Sequence, residues 1–269
     1  MGVSRSGYYK YLKRDHRSKI ISDFKIIAKV RQIHADTRGS YGSRRMSNQL
    51  RDEGYDIGRY RARNLMKKAG VSVKRRKKFK RTTDSNHNLP IAENLLDRQF
   101  ESNRPNAVWC ADITYLWTLQ GWLYLAVVID LYSRKVVGWA MDNHLKASLV
   151  KEALLMAYWR RKPPKGLIHH SDRGSQYAGS EYQKLLKQYG MICSMSRKGD
   201  CWDNAVVESF FHSLKTEWIS DIIYQTRDDA RSDVVKYVEM FYNSHRLHSF
   251  LGYKNPNVFE KSSTLAKVA

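Results

Sequence analysis

The run Ala107-Val-Trp-Cys-Ala-Asp-Ile-Thr-Tyr-Leu-Trp117 decides the fold, together with Gly121-Trp-Leu-Tyr-Leu-Ala-Val-Val-Ile-Asp-Leu-Tyr132 and Arg134-Lys-Val-Val-Gly-Trp-Ala-Met141 close behind it. All three segments are dense in β-branched and aromatic residues, and the short links at Gln120-Gly121 and Ser133-Arg134 suit antiparallel hairpins. A three-stranded meander is therefore predicted over residues 107–141.

Downstream the pattern alternates. Helical spacing covers Ala147–Arg161, a short strand Gly166–His170, a helix Ser180–Tyr189 and a strand Met191–Ser194, with two more helices near Asp203–Ile219 and Asp228–Arg246. The order β-β-β-α-β-α-β-α predicts an α/β, RNase H-like core built on a mixed sheet. Upstream, from Ser22 to Gly70, apolar residues recur at helical spacing: Phe24, Ile27, Val30 and Ile33, then Met46 and Leu50, then Leu65, Met66 and Ala69. Breaks at Gly39-Ser-Tyr-Gly42 and Gly54-Tyr-Asp-Ile-Gly58 divide this region into three short helices. The third starts near Arg59 and carries Arg59, Arg61, Arg63, Lys67 and Lys68 around its polar side. This is the pattern of an all-α, helix-turn-helix-like domain with a basic recognition helix, or of a small bundle with a solvated charged face. The expected organisation is a helical domain over 1–72, a basic linker over 73–103, a catalytic core over 104–262 and a tail over 263–269.

The 269 residues include 48 Lys plus Arg against 26 Asp plus Glu, a net charge of +22, which points to a polyanionic partner and first of all to nucleic acid. The excess is uneven: residues 1–100 hold 26 basic and 9 acidic side chains (+17), the rest 22 and 17 (+5). Binding is thus expected in the first part and chemistry in the second. Lys74–Arg81 places seven positive charges in eight residues, which repel one another unless phosphates neutralise them. Its Lys74, Arg75, Arg76, Lys77 and Lys78, with Arg44, Arg45, Arg59, Arg61 and Arg63, are the candidate DNA contacts. No apolar run approaches the roughly 20 residues needed to span a membrane, and the N-terminus has no signal-peptide pattern. A cytoplasmic, nucleoid-associated protein is expected. Cys110, Cys193 and Cys201 are scattered and odd in number, which suits reduced thiols better than a disulfide framework.

Phosphodiester chemistry uses divalent cations held by carboxylates, so acids set in apolar strands are the residues to weigh. Asp112 lies in Trp109-Cys-Ala-Asp-Ile-Thr-Tyr115. Asp172 closes Gly166-Leu-Ile-His-His-Ser-Asp172, at the carboxyl end of a strand, where open α/β sheets place their sites. Glu208 lies in Asp203-Asn-Ala-Val-Val-Glu-Ser-Phe-Phe-His-Ser-Leu-Lys215, a helix with an apolar stripe of Val207, Phe210, Phe211 and Leu214 and with Lys215 two turns along from Glu208. Singly, each acid has an ordinary reading: a turn or an Arg partner for Asp112, a type I turn for Asp172, an exposed helical position for Glu208. The set is more specific, because 35 residues separate Asp172 from Glu208. Asp130 is assigned to strand-end or turn structure, and Asp200 and Asp203 to a mobile loop before the Glu208 helix. His169-His170 and His245/His248 have no cysteine at zinc-finger spacing and are read as core or DNA-facing groups.

The segments WxxDIT, HSDxGSQY and DNAxxESFFxxLK around the three acids form one pattern with the closing stretch Tyr242-Asn-Ser-His-Arg-Leu-His-Ser-Phe-Leu-Gly-Tyr-Lys-Asn-Pro256 and with Tyr41-Gly-Ser-Arg-Arg45. In these segments the chain resembles the DD(35)E insertion-sequence transposases encoded in two overlapping frames, specifically their downstream catalytic OrfB portion. The resemblance implies a retroviral-integrase-like catalytic core and two Mg²⁺ or Mn²⁺ ions per active site. It also implies that Asp112, Asp172 and Glu208 are the metal ligands and catalytic residues, with Lys215 beside the same DNA phosphates. Implied partners are double-stranded DNA, as terminal repeats and target, self-association, and an upstream-frame OrfA-type protein or fusion, since Met1-Gly-Val-Ser-Arg-Ser-Gly-Tyr-Tyr-Lys-Tyr11 resembles the stretch near the frame junction. Two other functions compete. A non-catalytic DNA-binding regulator would not need all three acids, and an RNase H-like nuclease would need neither the 35-residue spacing nor the basic helical region.

Overall fold

A computed structural model describes residues 4–12, 16–74, 89–197 and 201–265. The chain forms two compact units, residues 1–75 and 76–269.

The first unit is helical: α1 Arg5–Leu12, α2 His16–Asp36, α3 Ser43–Asp52 and α4 Arg59–Lys68. Its core consists of Ile26, Val30 and Ile33 from α2, Met46 and Leu50 from α3, Ala62, Leu65 and Met66 from α4, and Ile57 and Ala69 beside them. The buried stripe of α2 differs from the expected one. Ile26, Val30 and Ile33 follow the i, i+4, i+7 rule, whereas Phe24 lies off that face and is exposed. Short polar bonds fix the three-helix arrangement: Ser47 Oγ donates to the Ile57 carbonyl at 2.6 Å, and Arg31 Nε to the Ala69 carbonyl at 3.1 Å.

The second unit is built on a five-stranded sheet of order β3-β2-β1-β4-β5, made of β1 Val108–Thr118, β2 Gly121–Asp130, β3 Val136–Asp142, β4 Ile168–Ser171 and β5 Ile192–Met195. The first three strands form the antiparallel meander, and β4 and β5 run parallel to β1. The mixed α/β architecture read from the sequence is the one observed. One face of the sheet, from Trp109, Ala111, Ala126 and Val128, packs on α5 Ala147–Arg161 and α7 Ser180–Gln188. Gly138 on β3 allows this close approach, since a Cβ there would collide with the Ala153 carbonyl oxygen and lie 2.7 Å from Ala157 Cβ. Against the sheet also pack α8 Ala205–Ser213 and α9 Arg227–Val235. The buried rings Phe210, Trp218, Tyr237, Phe241 and Tyr242 join these helical segments to one another.

Five features depart from the sequence reading. The predicted helices 203–219 and 228–246 each begin as α-helix and widen to π-helix, at Leu214–Trp218 and Lys236–Tyr242. A short helix, α6 Ser175–Ala178, follows Asp172, and a final helix, α10 Pro256–Leu265, crosses the expected start of the tail. The described part of the expected linker, residues 89–103, packs on the core. Leu96 is buried, the Leu95 amide donates to Ser194 Oγ at 2.9 Å, and the Met195 amide donates to the Glu93 carbonyl at 3.3 Å. Leu96 supplies apolar area that composition, dominated by the basic run, conceals. Lastly, the segment before α8 is anchored where it is described: Cys201–Asn204 forms a 3₁₀ turn with Asp203 fully buried. Asp200 lies outside the described residues.

Candidate active site

Parallel pairing of β1 with β4 runs from Val108↔Ile168 to Ala111↔Ser171. One residue past the last pair stand Asp112 on β1 and Asp172 just after β4. Neighbouring strands lie about 4.8 Å apart, so both carboxylates project side by side where β4 ends and β1 runs on. Asp172 Oδ1 accepts the Gly174 amide at 3.0 Å, a local turn that leads into α6. Asp112 Oδ1 accepts the amide of Ile113 at 2.7 Å.

The third acid reaches this end of the sheet through α8. Asn204, which is buried at the start of that helix, donates from Nδ2 to the Ala111 carbonyl at 3.1 Å, tying the helix to the residue before Asp112. Glu208 follows one turn later, in the first turn of α8, where a carboxylate is favoured by the helix dipole. Its side chain is exposed. Lys215, in the π-helical turn, holds its Nζ 5.0 Å from the centre of the Tyr115 ring on β1.

The electrostatics bind these groups into one site. Burial raises the Asp112 carboxyl well above its ordinary range, and the negative charges of Asp172 and Glu208 raise it further, while Lys215 opposes them. Burial in turn lowers the Lys215 ammonium, and Asp112 pulls it back up. An all-oxygen donor set whose members repel one another is short of positive charge and suits a hard divalent cation. Among the described residues, however, no three His, Cys, Asp or Glu side chains stand close enough together to enclose an ion as they are.

Other acids serve the scaffold. Asp130 is buried at the end of β2 and accepts the Asn106 amide at 2.9 Å, the Tyr132 amide at 3.0 Å and Arg161 Nη2 at 3.1 Å. Asp203 accepts Asn94 Nδ2 at 2.9 Å, Arg98 Nε at 3.0 Å and both the amide and the guanidinium of Arg197. Although burial works the other way, the hydrogen bonds from Arg197 and Arg98 hold its carboxyl well below the usual range. Little in the sequence distinguishes Asp203 from Asp200, because two of its three partners, Asn94 and Arg98, lie more than a hundred residues away.

The histidine pair His169-His170 is core. His169 Nε2 meets the Tyr182 hydroxyl at 3.0 Å, and His170 meets Ser194 Oγ at 2.9 Å and Ser196 Oγ at 3.2 Å. Burial lowers the pKa of His169 to about 3 and that of His170 to about 4. Both imidazoles are therefore neutral when folded, while the unfolded chain takes up protons near pH 6.5. Their contribution is complete above pH 6.5 and is lost as pH falls from there toward 4. At pH 5 the loss is about 2 kcal/mol for each histidine. Asp112, raised instead of lowered, works in the opposite direction, so the chain is best compared with His169→Gln in urea titrations at pH 7 and pH 5. The variant should lose less stability over that interval, by about 2 kcal/mol; equal losses would show that His169 does not titrate in this way.

The candidate DNA contacts divide by setting. Arg44, Arg59 and Arg63 are exposed. Arg61 is exposed but pairs with Asp23 at 3.2 Å, beside Lys68, which meets the other Asp23 oxygen at 2.9 Å. Arg45 is half-buried over the Tyr41 ring, and Lys74 donates its amide to the Gly39 carbonyl at 3.2 Å. Arg75, Arg76, Lys77 and Lys78 lie outside the described residues.

Comparison with known proteins places these features in one lineage. Two integrase core domain families match residues 102–201 and 189–256, and an HTH-like domain family matches residues 22–79. A transposase of insertion sequence IS3A from Escherichia coli (strain K12), InsF, is 43% identical over 263 residues, covering 97% of this chain and 91% of the relative. The chain belongs to the IS3 family of insertion-sequence transposases. A 31 kDa protein of insertion element IS600 from Shigella sonnei is 44% identical to the transposase over 260 residues, covering 97% of this chain and 96% of the relative. Among solved structures, the intasome of simian T-cell lymphotropic virus in complex with the PP2A regulatory subunit B56 gamma shares the fold at a TM-score of 0.51 and 19% identity, over 85% of the transposase and 73% of the viral chain. The transposase thus joins an integrase-type catalytic core to an HTH-like helical domain, and no helix among its described residues is long and apolar enough to cross a membrane.

Proposed function

We propose that Asp112, Asp172 and Glu208 are the catalytic carboxylates of this transposase and hold the divalent ions, Mg²⁺ or Mn²⁺ and two per site, with which it cleaves the element's ends and transfers them to target DNA. One observation carries the reading: Asp112 and Asp172 each directly follow the last matched pair of the parallel strands β1 and β4, and the Asn204 tether sets the Glu208 helix against β1 one residue before Asp112. When bound, such ions activate the attacking oxygen and stabilise the leaving one.

The chain's own groups have separable parts in this scheme. Asp172, oriented by the Gly174 amide, and Asp112, on the rigid central strand, present fixed oxygens. Glu208 sits on a helix and can approach from solvent once positive charge arrives. Lys215, braced on Tyr115, offers an ammonium to a DNA phosphate beside the carboxylates. No covalent protein intermediate is required, because water and then a DNA 3′-hydroxyl serve as nucleophiles. Arg44, Arg45, Arg59, Arg61, Arg63 and the Lys74–Lys78 run supply duplex affinity in this reading, in an assembly of several copies with an upstream-frame OrfA-type protein or fusion, located at the nucleoid.

A metal test addresses the core of the proposal. End cleavage should proceed in Mg²⁺ or Mn²⁺ and fail in Ca²⁺, whose looser coordination does not enforce in-line geometry. Calorimetric titration with Mn²⁺ should give heat for the native chain and little for Asp112→Asn. Cleavage that persists in excess chelator would remove the carboxylates from the chemistry.

A further inference from the structure

Between β1 and β2 the sheet continues beyond its helical cover. Ile113 and Tyr124 are the last residues of this face that pack on the core beneath α5 and α7. Past them the same face carries Tyr115 and then Trp117, which is paired across the strands with Trp122. These rings form a ladder: Tyr115 to Trp122 is 4.9 Å between ring centres at 81°, and Trp122 to Trp117 is 4.8 Å at 72°. Yet the ladder is not core. Trp117 is 54% exposed and Trp122 43%. Two exposed tryptophans in contact, on a rigid hairpin, are a costly arrangement for a surface without a partner.

One cation stands at the inner end of the ladder, and a second is fixed to the back of its hairpin. At the inner end the Lys215 ammonium stands over Tyr115. At the outer end Arg227 is fixed to the hairpin, its amide donating to Gln120 Oε1 at 3.0 Å and its Nε to the Trp122 carbonyl at 3.0 Å. A row of exposed rings with a cation at its end is a pattern that binds unpaired nucleic acid, bases stacking on the rings while a phosphate meets the charge. Asp112 and Trp117 lie on one uninterrupted strand five residues, about 16 Å, apart, so their side chains leave opposite faces of the sheet, and Lys215, which acts on the Asp112 charge and stands over Tyr115, is what joins the two.

We infer that the Tyr115–Trp122–Trp117 face is a stacking platform for unpaired bases of the DNA strand whose phosphate meets Lys215. Only the place of that phosphate beside the reacting one rests on the proposed catalytic site. The platform separates the strands beyond the reacting phosphate and keeps the frayed strand from re-pairing. Duplex alone cannot use it, since paired bases hide their faces in the helix.

Binding measured in chelator, without turnover, keeps this inference apart from the catalytic one. The probes are a fully paired oligonucleotide duplex and the same duplex with a five-nucleotide thymidine tail, titrated against the full chain by fluorescence anisotropy. Trp117→Ala and Trp122→Ala should each weaken the tailed probe by about 5- to 100-fold and leave the paired duplex within twofold. Trp117→Phe, which keeps a stacking face, should recover most of the loss. Equal weakening of both probes, or of neither, would overturn the platform. So would a shift of the alanine variants to a smaller species in sedimentation with tailed-probe affinity unchanged, because the face would then join copies of the chain. Strand transfer that survives Asp112→Asn would sink the catalytic reading and leave the stacking result standing.

Discussion

Asp172→Asn is expected to lower strand transfer by roughly a thousandfold while DNA binding persists. The substitution keeps size and the acceptor for the Gly174 amide, but it removes the charge beside Asp112. Losing several kcal/mol of charge stabilisation translates at 1.36 kcal/mol per decade into about that factor. Asp112→Asn and Glu208→Gln should act alike, and the double variants should fall little further, because ligands of one ion site fail together. The measurement is transfer of a labelled end oligonucleotide into target DNA, beside a binding titration of the same variants. Full activity of Glu208→Gln in Mg²⁺ would show that the third ligand lies elsewhere.

The second large effect concerns stability. Arg246 and Glu217 form a bidentate pair beneath the π-helical turn that carries Lys215, with bonds of 2.7 and 2.8 Å, and Arg246 also donates to Ser213 Oγ at 2.8 Å. Both side chains are largely removed from solvent, at 6% and 14% exposure. Burial lowers the Arg246 pKa, but Glu217 outweighs it and the net shift is upward. Arg246→Met would leave the Glu217 carboxylate in that setting without its partner, at a cost of about 3–5 kcal/mol. For a chain of this size that corresponds to a Tm lower by roughly 6–20 °C in calorimetry. The double variant Arg246→Met with Glu217→Leu should regain most of the loss, since a well-packed apolar pair can replace a buried ion pair. A single-variant cost below about 1 kcal/mol would mean that the pair is dispensable.

How far the sequence reaches depends on the range of the interaction. The meander and α5 were legible because their apolar patterns are long and local, and Ala147–Arg161 is found with the expected bounds. The same holds for the surroundings of Asp112, inside a long apolar strand, and of Asp172, where a short strand ends. What stayed hidden is set by contacts distant in sequence. The bond from Asn204 to Ala111 spans 93 positions, and the docking of 89–103 depends on Ser194 and Asp203. The π-helical turns were hidden too, because 3.6-residue periodicity describes their sequence almost as well. Phe24 shows the reverse error, an apolar residue that fits a helical stripe yet lies outside the packed face.

The Asn204 tether changes how the thirty-five-residue interval between Asp172 and Glu208 is understood. Glu208 is referred to β1 by a bond made four residues earlier, and Asp203 beside it is clamped by Arg98 and Arg197. The position of the third acid is therefore surveyed from the sheet and not counted along the chain from the second. Loss of the asparagine amide would displace it with the interval unchanged. The fixed number that marks the family in sequence is a by-product of two anchors in space.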